Sequence, residues 1–406
     1  MDLIKRFSIA HHDNSPNPSQ YYEAIRNSSQ TFRDELCDIY FGKKFRYTYR
    51  EQEIYDSYPK SHEITYGNVM GVEASDEQVD YLFKIQTEFG IRISLTINQL
   101  NIPFEFFYSK NNRVTNAFIC WLQEFYDRGL RSCTLANNHL MRTGVLQAKF
   151  PEMLWKNTVN QQVSNAQQVL DYLYLGYSVI QLDRSLNRNM DELKRIKDAV
   201  ENFKNKYPDK HVKTCMLVLE HCMPSCPFKR EHDDLQIYHR RIDYWKSYLG
   251  ALSCGRWRGN SGQMEVPRFG TNWFWRSVET FEEFAGLVDI FKLSGRLGNK
   301  IHTIDHEGRI QFGWSTDRHA SDSFSNIVNR RLEPLYIWSL CDDGAFTYLE
   351  TDVNVIKKDL SKDDFWMTEQ ANKLEQKLKY CKSQCYSCHL CEDTFGLPHF
   401  DSLLEL

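Results

Sequence analysis

The chain is predicted to fold as an α/β protein, a (β/α)8 TIM-like barrel with a C-terminal Cys-rich extension. Three observations predict this. Short β-rich runs alternate with amphipathic helical stretches, the pattern of repeated βα units around a parallel sheet. Eight such strand candidates fall between residues 35 and 293, a span that suits a barrel of this kind. Six of the eight end in polar groups, at the position where barrel enzymes carry their reactive side chains. A doubly wound open sheet is the alternative. The chain has no G-x-G-x-x-G or G-x-x-x-x-G-K-[ST] loop to favour a nucleotide-binding version of it.

The strand candidates are Glu35–Phe41, Ile91–Ile97, Ser132–Asn137, Leu154–Gln161, Ser178–Asp183, Val212–Glu220, Arg268–Phe274 and Val288–Leu293. Helical stretches between them include Asp76–Glu88, Asn165–Leu175 and Asp191–Lys206. The last sets Leu193, Ile196, Ala199, Val200 and Phe203 on one face. Residues 1–33 are polar and rich in Asn, Ser and His, and read as a peripheral N-terminal segment. Residues 34–300 read as the barrel. Residues 301–406, where the βα rhythm fades, read as an extension in which a charged helix, Asp363–Tyr380, leads into a cysteine set.

Composition narrows the class. At 406 residues, 41% hydrophobic and 14% aromatic, the chain is large and apolar enough for a sizeable core. Fifty basic against 54 acidic residues argue against a general basic coat for nucleic acid and leave a local basic groove open. Twelve cysteines would suit a secreted disulfide protein, but Met1-Asp2-Leu3-Ile4-Lys5-Arg6 lacks the apolar core of a signal peptide. No apolar run approaches the ~20 residues that cross a bilayer. The expectation is a cytoplasmic protein with no membrane association, its thiols reduced or bound to metal.

Seven cysteines carry the sharpest signal. Cys222 and Cys226 form a C-x3-C pair with Pro224 inside it and Pro227 directly after it, and Cys254 lies beyond the helical stretch Leu235–Leu252. The prolines make that segment a loop, so a pair of core cysteines is the weaker reading. Cys215 lies mid-strand, where a packing role suits it. Cys381, Cys385, Cys388 and Cys391 form C-x3-C-x2-C-x2-C, with His389 among them. Soft thiolate sets of this density select zinc or iron–sulfur clusters, and a single compact run is nearer to ferredoxin spacing than to paired zinc knuckles. Cys381, Cys385 and Cys388 also match the radical S-adenosylmethionine spacing. That motif belongs after a first barrel strand, so its place beyond the barrel marks the match as coincidence.

Polar residues at the strand ends supply the other candidates. Asn137, Asn138 and His139 follow one strand. Asn160, Gln161 and Gln162 end the next, Asp183 and Arg184 the next, and Glu220, His221 and Cys222 the one after. Arg276 follows Arg268–Phe274, and Ser294, Gly295 and Arg296 follow Val288–Leu293. Individually each has a bland reading: Asp183–Arg184 as a surface ion pair, His221 as a hydrogen-bonded structural histidine. Together they outline a mouth. Glu220, His221, His232 and Asp183 are candidates for moving protons. Arg184, Arg276 and Arg296, with Asn138 and Asn160, are candidates for binding an anionic substrate, because guanidinium forks match carboxylate and phosphate.

Between Cys133 and Arg296 the chain resembles the collagenase-like peptidase family U32. The matching segments are Ala136-Asn137-Asn138-His139, Val163-Ser164-Asn165, and Val179 to Arg184 followed by Asn187, Asn189 and Glu192-Leu193. Glu220 to Phe228, Trp275-Arg276 and Phe291 to Arg296 complete the set. The cysteine segment and Phe291-Lys292-x-Ser294-Gly295-Arg296 are the most specific of these. The resemblance implies a barrel carrying an oxygen-sensitive 4Fe-4S cluster, with Cys222, Cys226 and Cys254 as ligands. It also implies oxygen-independent hydroxylation of the kind that family members perform on ubiquinone precursors, tRNA or ribosomal RNA, with prephenate implicated as an oxygen donor. The chain departs from the family at Glu220-His221, which adjoins Cys222 directly, at Ser185 in place of an acidic residue, and in having no cysteine directly following the last barrel strand, where some relatives supply a fourth ligand. These departures describe a divergent branch.

The leading expectation is an iron–sulfur enzyme, holding one or two clusters, that performs redox or hydroxylation-type modification at the barrel mouth. Its substrate is a small anionic molecule or RNA, and an electron donor is its expected partner. Oligomeric state is left open. A metal-dependent hydrolase or peptidase competes, without a nucleophile–base arrangement or an H-E-x-x-H signature to support it. A non-catalytic binding protein with zinc at the C-terminal set is the third reading. Arg256-Trp257-Arg258 and Trp273-Phe274-Trp275-Arg276 offer stacking surfaces for RNA, although core packing explains such aromatics equally well.

Overall fold

The structure is a computed structural model that describes residues 6–11, 17–28, 30–50, 61–68, 73–218, 278–293, 301–304, 310–312, 369–382, 384 and 387–395. Eight parallel strands close into a barrel with helices outside, as the βα rhythm predicts. The barrel strands are β1 (Phe7–Ala10), β2 (Leu36–Gly42), β5 (Arg92–Ile97), β6 (Ser132–Leu135), β7 (Leu154–Lys156), β8 (Val179–Leu182), β9 (Lys213–Val218) and β10 (Ile290–Leu293). They neighbour one another in that order, and β10 pairs back onto β1 through Phe7↔Phe291 and Ser8↔Lys292. A hairpin, β3 (Lys44–Arg50) with β4 (Ser61–Gly67), is inserted after β2. A second pair, β11 (Ile301–Ile304) and β12 (Ile310–Phe312), comes after the barrel.

β1 lies inside the segment read as peripheral, and this corrects the N-terminal boundary. All four of its residues are buried, held between Leu36 on one side and Phe291 on the other. A four-residue strand covered on both faces shows no alternation, so periodicity gives no sign of it. The next helix, α1 (Gln20–Asn27), locks it in place: Tyr21 and Ile25 are buried, and the Tyr21 hydroxyl donates to the Ala10 carbonyl at 2.9 Å. Helix α2 (Gln30–Glu35) then runs straight into β2. The expected strand Arg268–Phe274 lies outside the described residues. The barrel's eight places are filled without it, because β9 pairs directly with β10 from Ile290↔Cys215 to Leu293↔Val218. The strand that ends before Asp183 is therefore sixth around the barrel, not fifth.

The flanking helices start where their caps dictate. In α3 (Asp76–Phe89) Ser75 and Gln78 form a reciprocal capping box, Asp76 and Glu77 favour the positive helix start, and Gly90 at φ 66° ends it. In α7 (Ala166–Tyr174) the Asn165 side chain accepts from the Gln168 amide at 2.9 Å. α8 (Met190–Lys206) carries Asp191 and Glu192 in its first turn and Lys204 and Lys206 in its last, and buries Leu193, Ile196, Val200 and Phe203 against the barrel. Two predicted strands run too long for the same reason. β6 stops at Leu135 because the Asn137 side chain caps α5 (Asn138–Arg142), which α6 (Val145–Lys149) succeeds. β7 stops at Lys156 because Thr158 and Gln161 form a capping box on a 3-10 turn.

Strand alternation then divides the side chains. Ile39, Phe41, Ile93, Leu95, Cys133, Trp155, Ile180, Met216 and Phe291 face outward into one continuous core beneath the helices, which also takes in α4 (Arg113–Asp127) through Phe118, Leu122 and Phe125. The intervening residues face inward and build the barrel interior.

The C-terminal extension docks on the barrel's outer layer. Helix α10 (Glu369–Leu378) buries Leu374 and Leu378. Lys379 Nζ lies 3.1 Å from both carboxylate oxygens of Glu283 in α9 (Val278–Ala285). The Met190 amide donates to the Lys379 carbonyl at 3.0 Å, and Tyr380 forms an antiparallel bridge with Asn189. Among the described residues no helix is long and apolar enough to cross a membrane.

Candidate active site at the barrel mouth

The interior is layered along the strands. At the N-terminal end Cys37, Val179, Cys215 and Ile290 pack together as an apolar floor. Burial pushes the Cys215 thiol up to about 12, so this cysteine packs as a small hydrophobe, the role its mid-strand position suggests. The interior turns polar two residues further along β8 and β10, and one residue further along β2, where the register with β1 shifts. Asp38 of β2, Lys156 of β7, Gln181 of β8 and Lys292 of β10 point inward at 1%, 6%, 2% and 8% exposure. Barrel interiors are ordinarily filled by branched apolar side chains, so two lysines and a carboxylate in one layer set this interior apart.

The polar layer is bonded across the barrel. Lys156 Nζ donates to Asp38 Oδ2, and the Ser8 hydroxyl donates to Asp38 Oδ1 at 2.6 Å. Lys292 Nζ donates to Gln181 Oε1 at 3.1 Å and lies 4.2 Å from the centre of the Tyr40 ring, a cation–π contact. Gln181 Nε2 reaches Thr134 Oγ1 at 3.3 Å as well as the Asn157 carbonyl, and Asn157 Nδ2 donates to the Gln181 carbonyl at 3.1 Å. The Tyr40 hydroxyl donates to the Leu293 carbonyl at 2.7 Å and ties β2 to the last strand.

Burial opposes charge on both members of the central pair. The adjacent Lys156 ammonium nevertheless holds the Asp38 carboxyl below its ordinary range, helped by Ser8 and Lys292. The Asp38 carboxylate in turn holds Lys156 above the ordinary lysine value. Both therefore keep their charges at neutral pH and serve as fixed electrostatics, not as proton carriers. The inward-facing charged groups described in this layer are thus two ammonium groups and one carboxylate.

Segments beyond the strand ends roof the mouth. The β3–β4 hairpin lies over the ends of β2 and β5: the Asn68 amide donates to the Lys43 carbonyl at 3.2 Å, and the Gln99 amide to the Gly67 carbonyl at 3.1 Å. Past β5, the segment Phe104–Tyr108 leaves Phe104, Phe107 and Tyr108 exposed, with Phe107 edge-on to His139 at 5.1 Å.

The residues picked out from sequence fall into three groups. Asp183 and Arg184 are both buried, which overturns the surface ion pair reading. Asp183 Oδ1 accepts from the Ser185 amide at 2.9 Å and starts the 3-10 turn Arg184–Arg188. Asn138 sits in a bonded web: its Oδ1 is 2.9 Å from Gln161 Nε2 and 2.8 Å from the Tyr177 hydroxyl, and its Nδ2 is 3.2 Å from the Tyr172 hydroxyl. Asn160 lies beside it on the half-buried turn Val159–Gln161. These four line the ends of β6, β7 and β8.

The second group is the C-terminal thiols. Cys381 comes directly after the Tyr380–Asn189 bridge, so the extension delivers it beside the β8–α8 loop, at the C-terminal end of the barrel. Cys381 is half-buried, Cys388 exposed and Cys391 half-buried in α11 (Leu390–Phe395); all three are free of disulfides. Among the described residues no three His, Cys, Asp or Glu side chains gather as a metal site. Cys385, the fourth member of the set, lies outside the described residues. The third group, Glu220, His221, Cys222, Cys226, His232, Cys254, Arg276 and Arg296, lies outside them too.

Sequence reading missed the interior layer. Its signal is a charged or amide residue inside an otherwise apolar strand: Leu-Cys-Asp-Ile-Tyr in β2, Leu-Trp-Lys in β7, Val-Ile-Gln-Leu in β8 and Ile-Phe-Lys-Leu in β10.

No family model matches the chain. No curated protein matches it either. Among solved structures, a U32 peptidase is similar over 61% of this chain and 84% of its own, with 11% identity and a TM-score of 0.41. An α-amylase from Lactobacillus plantarum is similar over 54% of this chain and 63% of its own, with 9% identity and a TM-score of 0.31. At these values neither similarity carries a function across.

Proposed function

We propose that the chain is a barrel enzyme whose C-terminal mouth binds an anionic substrate beside a thiolate-held iron–sulfur group, for redox or hydroxylation-type modification. One observation carries this reading. The extension bearing the cysteine set docks at the C-terminal end of the barrel, through the Asn189–Tyr380 bridge and the Met190–Lys379 hydrogen bond. Barrel enzymes work at that end. Soft, disulfide-free thiols match the donors that iron–sulfur clusters and zinc require. Cys381, Cys385, Cys388 and Cys391 would hold one such group, and Cys222, Cys226 and Cys254 another. When bound, an iron–sulfur group supplies one-electron transfer or an open iron for substrate.

The chain's own residues supply binding and orientation. Lys292 and Lys156, partly balanced by Asp38, favour an anion over the polar layer. Arg184 adds a guanidinium at the rim, where Asn138 and Asn160 add hydrogen-bonding groups, and Arg276 and Arg296 are the further anion-binding candidates of this reading. Glu220, His221 and His232 remain the proton carriers of this reading.

The test is iron, acid-labile sulfide and zinc content after anaerobic purification. It compares the wild type with Cys222→Ala/Cys226→Ala and Cys385→Ala/Cys388→Ala variants. Iron with matching sulfide, lowered by either pair of substitutions, is the expected result and tells which set holds it. Zinc without sulfide in the wild type would sink the redox reading and leave a zinc enzyme or scaffold.

A further inference from the structure

Two buried polar side chains at the top of the barrel have no hydrogen-bond partner among the described residues. Asn68 is 2% exposed and both ends of its amide, Oδ1 and Nδ2, are unpartnered; Thr96 is 1% exposed and its hydroxyl is unpartnered. Buried polar groups are nearly always bonded, and an orphan costs the full penalty of leaving water. Three orphaned atoms at one spot therefore call for a partner.

They are at one spot because of Gly42. Gly42 is the last residue of β2 and pairs in register with Thr96 of β5. Along β2, Ile39 and Phe41 face the helix layer while Asp38 and Tyr40 face the interior, so a side chain at 42 would point inward. A Cβ there would collide with the Asn68 side-chain amide. Glycine thus makes the room that lets the amide from the β3–β4 hairpin enter the barrel mouth. Thr96 shares this inward side, because it pairs with Thr134, whose hydroxyl reaches Gln181 inside the barrel. Directly below lies Tyr40, with Lys292 Nζ over its ring.

We propose that Asn68 and Thr96 form a ligand subsite in the barrel mouth for a small hydroxylated anion. The Asn68 amide and the Thr96 hydroxyl take its neutral hydroxyl or carbonyl groups, and the Lys292 ammonium over the Tyr40 ring attracts its carboxylate or phosphate. The subsite rests on the reading of the C-terminal end as the active site, and it needs no metal group to bind.

The experiment titrates L-malate, with inorganic phosphate as an anion lacking carbon-borne hydroxyls, into the full-length protein by calorimetry. Wild type, Asn68→Leu, Thr96→Val and Lys292→Met are compared, and the Tm of each is measured without ligand. Malate is expected to bind the wild type and to weaken at least tenfold in both Asn68→Leu and Thr96→Val. Phosphate binding is expected to change less than twofold in those two and to fall at least tenfold in Lys292→Met. Both mouth variants should melt at or above the wild-type temperature, because they remove an unbonded buried group. Malate affinity unchanged in Asn68→Leu and Thr96→Val, or no malate binding to the wild type, overturns the subsite. Iron and sulfide are measured on the same wild-type sample: malate binding without iron leaves the subsite standing and removes the iron–sulfur reading, whereas iron without malate binding does the reverse.

Discussion

Two adjacent layers of the barrel interior are built in opposite ways. The floor, Cys37, Val179, Cys215 and Ile290, is apolar and fills space. The layer above, Asp38, Lys156, Gln181 and Lys292, is charged and bonded across the barrel. Both are nearly as buried as each other, so burial alone does not set composition. The floor gains stability simply by leaving water. The upper layer must offset the desolvation of three charges with each other's fields and a closed hydrogen-bond set. Such a layer is a costly way to fill a barrel, and its position toward the C-terminal ends of the strands is where a substrate would use its charge.

The sharpest way to break this comparison is to remove one member of the buried pair. Lys156→Met leaves Asp38 buried with less compensation and should destabilise the fold by about 3–5 kcal/mol, the usual effect of orphaning a buried charge. The pH dependence gives a second readout. In the wild type the Asp38 carboxyl is held below its unfolded value. Its contribution is therefore full above the unfolded carboxylate pKa and is lost as pH falls through the folded one. Without Lys156, burial should raise the Asp38 pKa above its unfolded value. Its contribution then reverses sign: present at acid pH, lost as pH rises. Urea denaturation at a series of acid to neutral pH values checks this, and an unchanged pH profile in the variant would contradict the assignment.

The floor predicts a different signature. Ile290→Ala deletes buried methyl groups and leaves a cavity, at about 2–4 kcal/mol. The loss should be the same across that pH range, because no titratable partner is removed. A pH-dependent loss at Ile290 would mean that floor and polar layer act as one unit.

The same physics decides how far these layers are legible in sequence. The βα rhythm is readable because each outer strand face and its helix share one apolar core, and residues such as Ile39, Phe41, Ile93 and Leu95 repeat it. β1 is not readable, since four buried residues between polar neighbours carry no period, and its strandness comes from Leu36 and Phe291 across the barrel. The rim candidates Asp183, Arg184, Asn138 and Asn160 are legible because they fall in the turns just beyond strand ends. The polar layer is hidden because Asp38 and Lys156 are 118 residues apart in sequence, and only barrel closure brings them together. Asn68 is hidden for a related reason: its role depends on a glycine in another strand.

The smallest expected effect concerns how the extension is held. Lys379 is 4% exposed, while its partner Glu283 is half-exposed, so solvent screens the pair and its contribution is about 1 kcal/mol or less. Glu283→Gln should accordingly leave the barrel's melting transition nearly unchanged. It should still loosen the segment that brings Cys381 to the Asn189 bridge, raising amide hydrogen exchange at Tyr380 and Cys381 severalfold while β8 and β9 exchange as before. If exchange at Tyr380 does not move, the apolar contacts of Leu374 and Leu378 and the backbone bond to Met190 suffice to seat the extension. The cysteine set would then be fixed to the barrel by its backbone and apolar side chains, with the lysine contributing only orientation.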